Sequence, residues 1–461
     1  MVAEKLHERL MSFRHGVHPE EYKALSDHRP IERMPFVQEY TLPLSQHLGA
    51  PSRLLVRKGE EVRRGQVIAA PDGFLSVALH SPVDGKVVYI GPVDHPNGQM
   101  LPGVKIKTDP FSPQLIEKPT MLPFSQLSME DFLKGVQQAG MVGLGGAAFP
   151  AHVKFSIPKD KPCRVLMLNG SECEPFLTCD HRLMLEYADD LLDGIAILQH
   201  FLKAERVVIG IEANKPDAIA VLRTRASKQD FPLEVLPLEV KYPQGAEKMM
   251  ISALLGVEVP SGKLPIDIGA LVANVGTIAA LSHYFREGRP LIERVVTVTG
   301  TAVRRPSNLL IPIGTPMREA VDFCGGLTHG AVRILLGGPM MGISQKTLDV
   351  PVVKGTSGIL LLTAEEVQDL QTFNCIRCGH CLDACPIFLN PARMGALVRK
   401  GLWEELAAMQ VMDCFECGSC AFVCPSGIPL VQSFKVGKSV LREQKARDAA
   451  AGLAGGVKKN V

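Results

Sequence analysis

The stretch NCIRCGHCLDACP, residues 374–386, has a second copy, DCFECGSCAFVCP, at residues 413–425. Each copy has the spacing C-x2-C-x2-C-x3-C-P, and the chain contains 12 cysteines in all. Three thiolates at this spacing can hold one iron–sulfur cubane, while the fourth lies too far along the chain and turns away at the proline. The doubled motif therefore predicts a small, mostly helical domain that holds two [4Fe–4S] clusters.

The fourth cysteine of each copy is predicted to complete the cluster of the other copy. The first cluster is then held by one set of four ligands: Cys375, Cys378, Cys381 and Cys424. The second cluster is held by the other set: Cys385, Cys414, Cys417 and Cys420. Zinc is the alternative metal, but its four-cysteine sites usually consist of two separated C-x2-C pairs.

Length and composition narrow the classes of protein. A chain of 461 residues exceeds one hydrophobic core and predicts about three or four domains. With 46% hydrophobic and 21% charged residues, the composition is typical of a globular protein. The net charge of +2 gives no broad basic surface, which disfavours a nucleic acid partner.

The N-terminus and the hydropathy pattern bear on location. The start, MVAEKLHERL, mixes both charge signs and lacks the apolar core of a secretory signal, so we expect a cytoplasmic protein. No apolar run approaches the roughly 18 to 20 residues that span a bilayer, so we expect no transmembrane segment in this chain.

The order of patterns along the chain predicts a multidomain α/β protein. Residues 38–115 are rich in short β patterns and resemble a biotinyl or lipoyl barrel-sandwich domain, but the hairpin tip is Asp72–Gly73 and carries no attachment lysine. The other expected parts are an N-terminal arm (1–37), an α/β domain with a mostly parallel sheet (120–285), a β-grasp-like, SLBB-like segment (290–362), the helical two-cluster ferredoxin domain (365–445) and a flexible tail (446–461).

A glycine-rich stretch, GLGGAAFPAHVKF at residues 143–155, is a candidate phosphate site. Gly143, Gly145 and Ala148 formally match the dinucleotide fingerprint G-x-G-x-x-G/A, but that fingerprint follows a strand and this stretch follows a predicted helix. Glycine amides can still approach a phosphate, and Lys154 could add a positive charge. An ordinary tight turn is the alternative.

Four segments in the same order carry a family resemblance. The glycine stretch, NGSECEP (169–175), YPQGAEKMMISALLG (242–256) and NVGT (274–277) are similar to the flavin site of the FMN-carrying, NADH-oxidising subunit of respiratory complex I. The whole order, with FRHGVHPEEYK, GGPMMG, KGTSGILLL and the two cluster motifs, resembles the C subunit of the Rnf electron-transport complex. Cobalamin reductases share these modules in a different order.

The resemblance implies roles for individual residues. The FMN phosphate side would be held by Gly143, Gly145, Gly146 and Lys154. The rest of the flavin would be lined by Asn169, Gly245, Asn274, Val275 and Thr277, with Phe149 available to stack on a planar ring. The nicotinamide nucleotide would be faced by Glu172, Glu174, Glu247 and Lys263. The alternative for the first two acids is a solvated loop.

Three positions depart from the complex I pattern. Leu144 stands where complex I has arginine, Ser171 replaces an aspartate, and Ala246 replaces the first of two adjacent acids. These departures affect the predicted nucleotide pocket more than the flavin site.

The resemblance also implies a function. NADH would reduce FMN, single electrons would pass to the two clusters, and no catalytic acid, base or nucleophile is required. The partners would be membrane subunits that move Na+ or H+, an iron–sulfur subunit and, indirectly, ferredoxin, with this translocase subunit peripheral on the cytoplasmic face of the bacterial inner membrane. The alternatives are a soluble NADH-dependent reductase of a corrinoid or quinone, and a flavin-free, cluster-bearing docking subunit.

Overall fold

The computed structural model describes residues 10–117, 122–158, 160–328, 330–367 and 371–457. Residues 1–9, where the sequence has no secretory core, lie outside the described residues, as do the predicted domain start at residue 120 and the last four residues of the predicted tail. Within the described ranges, four short 3-10 helices lie at Lys23–Leu25, Phe124–Gln126, Pro265–Ile268 and Val411–Asp413.

The N-terminal arm is tied to two later parts of the chain. Its strand β1 (Ile31–Arg33) pairs in parallel with residues 308–310. Earlier in the arm, Met11 forms a parallel bridge with Leu238 and Val17 an antiparallel bridge with Tyr242. The arm therefore adds backbone hydrogen bonds to two sheets, which the sequence did not predict.

The barrel-sandwich domain contains seven short strands in two sheets. The strands are β2 (Glu39–Pro43), β3 (Arg53–Leu54), β4 (Glu61–Val62), β5 (Val67–Ala70), β6 (Leu79–His80), β7 (Gly85–Asp94) and β8 (Met100–Thr108). Their orders are β2-β8-β7-β4 and β3-β5-β6. Inward-facing residues such as Leu42, Ile68 and Ile106 are fully buried between the sheets. The hairpin tip rests on the next domain, because Gln137 donates to the carbonyl of Gly73 at 3.1 Å.

The next domain is a four-stranded parallel sheet with helices on both faces. Its helices are α1 (Met129–Gln138), α2 (Ala151–Phe155), α3 (Cys179–Glu186), α4 (Ala188–Leu202), α5 (Pro216–Ala226), α6 (Glu247–Leu255) and α7 (Val275–Glu287). Its strands are β9 (Val165–Asn169), β10 (Arg206–Glu212), β11 (Leu233–Leu238) and β12 (Ala270–Asn274). Ser128 and Asp131 form the predicted capping box of α1.

The strand order of this sheet locates a crevice. The order is β11-β10-β9-β12, so the chain winds outward from β9 in one direction and then places β12 on the other side of β9. In open parallel sheets the ligand crevice lies at the carboxyl ends of the strands where the winding direction reverses. That point lies between the ends of β9 and β12.

A mixed six-stranded sheet follows, in the order β1-β14-β13-β17-β15-β16. Its own elements are β13 (Glu293–Thr299), β14 (Ser307–Pro312), α8 (Met317–Phe323), β15 (Ala331–Leu336), β16 (Ile343–Gln345) and β17 (Gly358–Thr363). The predicted two strands and short helix are present, and three further strands and β1 complete the sheet.

The C-terminal part is helical. Its helices are α9 (His380–Asp383), α10 (Pro391–Lys400), α11 (Trp403–Ala408), α12 (Ser419–Phe422) and α13 (Leu430–Val457). Helix α10 begins as predicted, because the side chain of Asn390 accepts from the N–H of Arg393 and Pro391 is its first residue. Gly401 ends it with φ of 66°. The last helix continues to Val457, so it includes most of the predicted tail.

The multidomain α/β class predicted from the sequence is confirmed. The domains are joined by buried polar contacts as well as apolar ones. The fully buried ammonium of Lys354 donates to the carbonyls of Ala78 and Gly140, each at 2.7 Å, and so connects three domains. No helix among the described residues is both long and apolar enough to cross a membrane.

Candidate functional site

The two cysteine motifs have the same backbone conformation. Arg377 and Glu416, at matching positions, have φ of 59° and 62°. Gly379 and Gly418, also matching, have φ of 87° and 89°, which glycine adopts without steric cost. These left-handed residues turn each motif into a compact loop before helices α9 and α12. The repeat in sequence is therefore a repeat in structure.

One cavity collects four thiols from both copies of the motif. Cys414, Cys417 and Cys420 of the second copy line it together with Cys385, the fourth cysteine of the first copy. Burial raises the pKa of the Cys420 thiol, and the neighbouring cysteines raise it further. A cluster bound here would therefore have to displace the protons of its cysteine ligands. A [4Fe–4S] cluster requires four cysteine ligands, and four cysteines line this cavity.

A second cavity collects the other four thiols. Cys375, Cys378 and Cys381 line it together with Cys424, the fourth cysteine of the second copy. Cys375 and Cys378 are exposed, whereas Cys385 and Cys420 of the first-described cavity are buried. We call these the outer and the inner cysteine cavity. The structure thus brings the eight cysteines together in the two crossed sets, and their assignment as ligands remains a prediction.

The inner cavity lies against the parallel-sheet domain. The hydroxyl of Tyr242 donates to the carbonyl of Cys417 at 2.7 Å. Val17, Tyr242 and Ala384 form a small buried cluster, onto which Cys173 and Met340 pack. Four parts of the chain therefore meet beside this cavity: the N-terminal arm, the parallel-sheet domain, the SLBB-like sheet and the cysteine domain.

The four segments of the predicted flavin site converge at the reversal point of the parallel sheet. Asn169 and Asn274 end β9 and β12 and are paired across the two strands. The amide nitrogen of Asn169 donates to the carbonyl of Gly245 at 2.7 Å. The N–H of Leu144, in the glycine stretch, donates to the hydroxyl of Thr277 at 2.8 Å. Each segment thus touches another one.

The glycine stretch lies over the N-terminus of α7. Gly145 packs against Asn274, since a Cβ at Gly145 would lie 3.7 Å from the Cβ of Asn274. Gly145, Gly146 and Ala147 are exposed, and Gly146 has φ of 103°. Exposed backbone without large side chains, next to the positive end of a 13-residue helix, suits an anionic phosphate. The residues present therefore fit the phosphate end of a flavin nucleotide.

Lys154 and Glu247 form an ion pair at the edge of this crevice. The ammonium of Lys154 lies 2.7 Å from a carboxylate oxygen of Glu247 and donates to the carbonyl of Val272 at 2.8 Å. The two side chains are 34% and 35% exposed, so water screens the pair. Lys154 is thus held near the crevice but remains accessible.

Glu172 caps a helix in the structure. Its carboxylate accepts from the N–H groups of Asp180 and His181, at 2.7 and 3.1 Å, in the first turn of α3. Its φ of 50° is unusual for a residue with a side chain. The carboxylate therefore does not extend freely into solvent, as the alternative of a solvated loop would require.

Glu174 contacts the SLBB-like sheet. Its carboxylate accepts from the N–H groups of Met340 and Met341, at 3.0 and 2.8 Å, in the stretch GGPMMG. Burial raises the pKa of Glu174 to about 7, although the two N–H groups oppose the shift. The acid therefore joins the predicted flavin loop to the segment that also packs beside the inner cavity.

The remaining predicted residues differ in exposure. Val275 is fully buried in the first turn of α7, and Phe149 is half-buried, its carbonyl accepting from the N–H of Gly143 at 2.7 Å. Lys263 is exposed on the loop after α6. Buried Val275 can contribute backbone and shape to the crevice, whereas Lys263 can contribute only from the rim.

The structure adds residues that sequence reasoning missed. Asp180 accepts from the amide nitrogen of Asn274 at 2.6 Å, and burial together with the Glu172 carboxylate raises its pKa. Arg294 is buried and donates to the carbonyl of Leu144 at 3.2 Å. Lys23 contacts the segment 172–177. Asp180 lies five residues after NGSECEP, so the sequence could have suggested it as a site residue. The sequence around Arg294 and Lys23 contains no motif that would place them at the site.

Comparison with known proteins identifies the modules. Four family models match: the RnfC barrel sandwich hybrid domain (11–110), the Nuo51 FMN-binding domain (136–283), the SLBB domain (295–344) and the 4Fe-4S dicluster domain (371–428). The chain is 46% identical, over 86% of both chains, to the C subunit of the proton-translocating ferredoxin:NAD(+) oxidoreductase complex of Clostridium ljungdahlii. It is 43% identical to the C subunit of the ion-translocating oxidoreductase complex of Rhodobacter capsulatus, over 95% of this chain and 84% of the relative.

The chain belongs to the RnfC family of ion-translocating oxidoreductase complexes. The resemblance seen in the sequence is thereby confirmed, as are FMN and [4Fe–4S] clusters as its cofactors. The dicluster match favours iron–sulfur clusters over zinc.

A solved structure supports the fold of part of the RnfC-family chain. An NAD+-reducing [NiFe]-hydrogenase in its H2-reduced state is 19% identical, with a TM-score of 0.50 over 68% of this chain and 62% of the hydrogenase chain. At this identity the likeness concerns the fold alone.

Proposed function

We propose that this RnfC-family chain is the NADH-oxidising subunit of a membrane-associated complex that transfers electrons between NADH and ferredoxin and couples the transfer to ion translocation. The observation that carries the proposal is the union of an FMN-binding domain and a dicluster domain in one chain, with the inner cysteine cavity packed against the former. The named activity of the C. ljungdahlii relative supports the same function.

The chain's own residues would bind and orient the cofactor. When bound, FMN exchanges the electron pair of a nicotinamide for the single electrons that iron–sulfur clusters carry. The backbone of Gly145 and Gly146, together with Lys154, would hold its phosphate, and Asn169 and Asn274 would line the crevice. Glu174 would keep its loop fixed through Met340 and Met341.

We further propose that the inner set of cysteines holds the cluster nearer to the flavin. The contact between Tyr242 and the carbonyl of Cys417 places the inner cavity at the boundary of the flavin domain. The outer cavity has exposed Cys375 and Cys378 at its mouth. Electrons from NADH would then enter the cysteine domain at the inner cluster and leave it at the outer one.

The outer cavity is the proposed contact for the next electron carrier. Ile376, between the two exposed cysteines, is 68% exposed, and Arg377 and Arg399 line the cavity. An iron–sulfur subunit with an acidic rim would complement these charges. The other proposed partners are membrane subunits, with this chain on the cytoplasmic face of the inner membrane and ferredoxin reached indirectly.

The experiment is anaerobic purification of the full chain followed by cofactor analysis. The proposal expects one FMN released per chain on denaturation, about eight iron atoms and two cluster signals in electron paramagnetic resonance, both reduced by NADH. A chain that holds clusters but no FMN would support the flavin-free docking subunit instead. NADH-driven reduction of a corrinoid or quinone by the isolated chain, at rates above those with its membrane partners, would support the soluble reductase.

A further inference from the structure

The N-terminal arm contacts the predicted flavin loop at several residues. The N–H of Phe176 donates to the carbonyl of Glu21 at 2.8 Å, and the buried Lys23 makes the largest number of hydrogen bonds. The ammonium of Lys23 donates to three carbonyls of this loop, those of Glu172 at 2.8 Å, Glu174 at 3.1 Å and Leu177 at 2.7 Å. Lys23 is 8% exposed, and burial lowers its pKa. All three donors of the ammonium are thus used on a single loop.

A second buried lysine holds the start of the same loop. The ammonium of Lys215 donates to the carbonyl of Ser171 at 2.6 Å and pairs with the carboxylate of Glu212 at 2.9 Å. Four carbonyls between residues 171 and 177 are therefore turned toward two cations. The carbonyl oxygens of these peptides therefore already accept hydrogen bonds from the lysines. Neither lysine is among the residues that line the crevice between β9 and β12.

Three N–H groups at the start of the loop have no acceptor among the described residues, unlike that of Phe176, which donates to the carbonyl of Glu21. Within the described part of the chain, the N–H groups of Glu172, Cys173 and Glu174 donate no hydrogen bond. Glu172 has a positive φ of 50°, and successive N–H groups around such a residue form a concavity that binds anions. Asn169, which begins this segment, contacts Gly245 in the crevice.

We propose that Lys23 is a positioning residue of the flavin site, which holds the 172–177 loop so that its free N–H groups face the electron-rich edge of the bound flavin. This inference rests on the proposed function and deepens it. Peptide N–H groups fixed in advance stabilise negative charge without reorganisation, so they favour the reduced, more negative flavin. By positioning the loop, the arm would strengthen the binding of FMN and raise the reduction potential of the bound flavin.

The test compares Lys23→Met with Lys241→Met in the full chain. Lys241 donates to the carbonyl of Phe13 at 3.0 Å, so its loss removes the same charge and one contact with the arm but touches no carbonyl of the loop. Dissociation of FMN on dilution is followed by flavin fluorescence, and the midpoint potential of bound FMN is measured by redox titration. A purely structural role of Lys23 would leave that potential unchanged.

The expected result is FMN binding weakened about tenfold in Lys23→Met, with a more negative midpoint potential, and changes of less than about twofold in Lys241→Met. Equal affinities and potentials in the parent and Lys23→Met would overturn the inference while leaving the proposed function intact. A parent chain that binds no FMN would overturn both.

A measurement on the parent covers the case in which Lys23→Met does not fold. Hydrogen exchange is compared between the flavin-loaded and the flavin-stripped full chain. The inference expects FMN to slow exchange at the amides of residues 172–174, because the flavin then accepts from donors that otherwise have no acceptor in the described protein. Unchanged exchange at these amides would overturn it.

Discussion

Replacing Lys154 by alanine should weaken FMN binding by about 2- to 30-fold. A hydrogen bond from an ammonium to a phosphate contributes about 1.5–3 kcal/mol. In the structure Lys154 is paired with Glu247 at 2.7 Å, and both side chains are about one-third exposed. Such a screened pair stabilises the protein by at most about 1 kcal/mol. This contribution is lost when Lys154 leaves Glu247 to contact the phosphate, so it is subtracted. Subtracting that 1 kcal/mol leaves a net loss of about 0.5–2 kcal/mol, and each 1.4 kcal/mol changes the dissociation constant tenfold.

The assay is titration of flavin-stripped protein with FMN, followed by fluorescence quenching at low and moderate salt. Lys161→Ala is the matched control, because Lys161 forms a comparable ion pair, with Asp267 at 2.6 Å. It should bind FMN like the parent. Glu247→Gln frees Lys154 and should bind FMN equally well or up to about fivefold more tightly.

Two further measurements test the assignment of Lys154 to the FMN phosphate. The difference between Lys154→Ala and the parent should shrink as salt rises, because the contact is electrostatic and accessible. The iron content should not change, since the cysteine cavities lie in another domain. A Lys154→Ala chain that binds FMN as tightly as Lys161→Ala would refute the assignment of Lys154 to the phosphate.

The other predictions concern the clusters, the pH response and the domain junction. Cys385→Ser should disturb the same paramagnetic signal as Cys417→Ser and a different one from Cys378→Ser, and a signal shared by Cys385 and Cys378 would contradict the crossed sets. Burial raises the pKa of Glu174 from its ordinary 4.5 to about 7, so its carboxyl stabilises the fold below pH 4.5 and loses this contribution as pH rises through 7. The urea midpoint should therefore fall more steeply from pH 5 to 8 in the parent than in Glu174→Gln, and parallel curves would be the contrary outcome. Tyr242→Phe leaves the carbonyl of Cys417 without its donor, a cost of about 1–2 kcal/mol, so cluster absorbance should be lost at lower urea concentration than in the parent; an unchanged midpoint would show that the junction does not depend on this bond.

The features that the sequence predicted well depend on neighbouring residues. The capping box of Ser128 and Asp131 acts within one helical turn. The start of α10 at Asn390 and its end at Gly401 follow from local backbone chemistry in the same way. The four-module order could be predicted because each module carries its own short motif or periodicity, and the family comparison confirms the fold class.

The features that could not be predicted join residues far apart in the chain. The spacing of the cysteines suggested the crossed sets, but no spacing relates Glu174 to Met340, 166 positions later. In the sequence, Lys23 is an ordinary lysine of a polar segment. Only the fold brings the carbonyls of residues 172–177 around it. Burial is what distinguishes these side chains from ordinary surface residues, and burial is a property of the tertiary structure.

The placement of the arm has a consequence for how the chain is made. Strand β1 needs a partner, residues 308–310, that the ribosome adds roughly 280 residues later. At about 5–20 residues per second, the arm waits about 15–55 s for that partner while the barrel and the parallel sheet are already emerging. Closing so long a loop is slow, so β1 should join its sheet after the barrel strands have paired with one another. A ribosome that stalls before residue 308 would therefore leave the barrel free to fold but strand β1 without its neighbour.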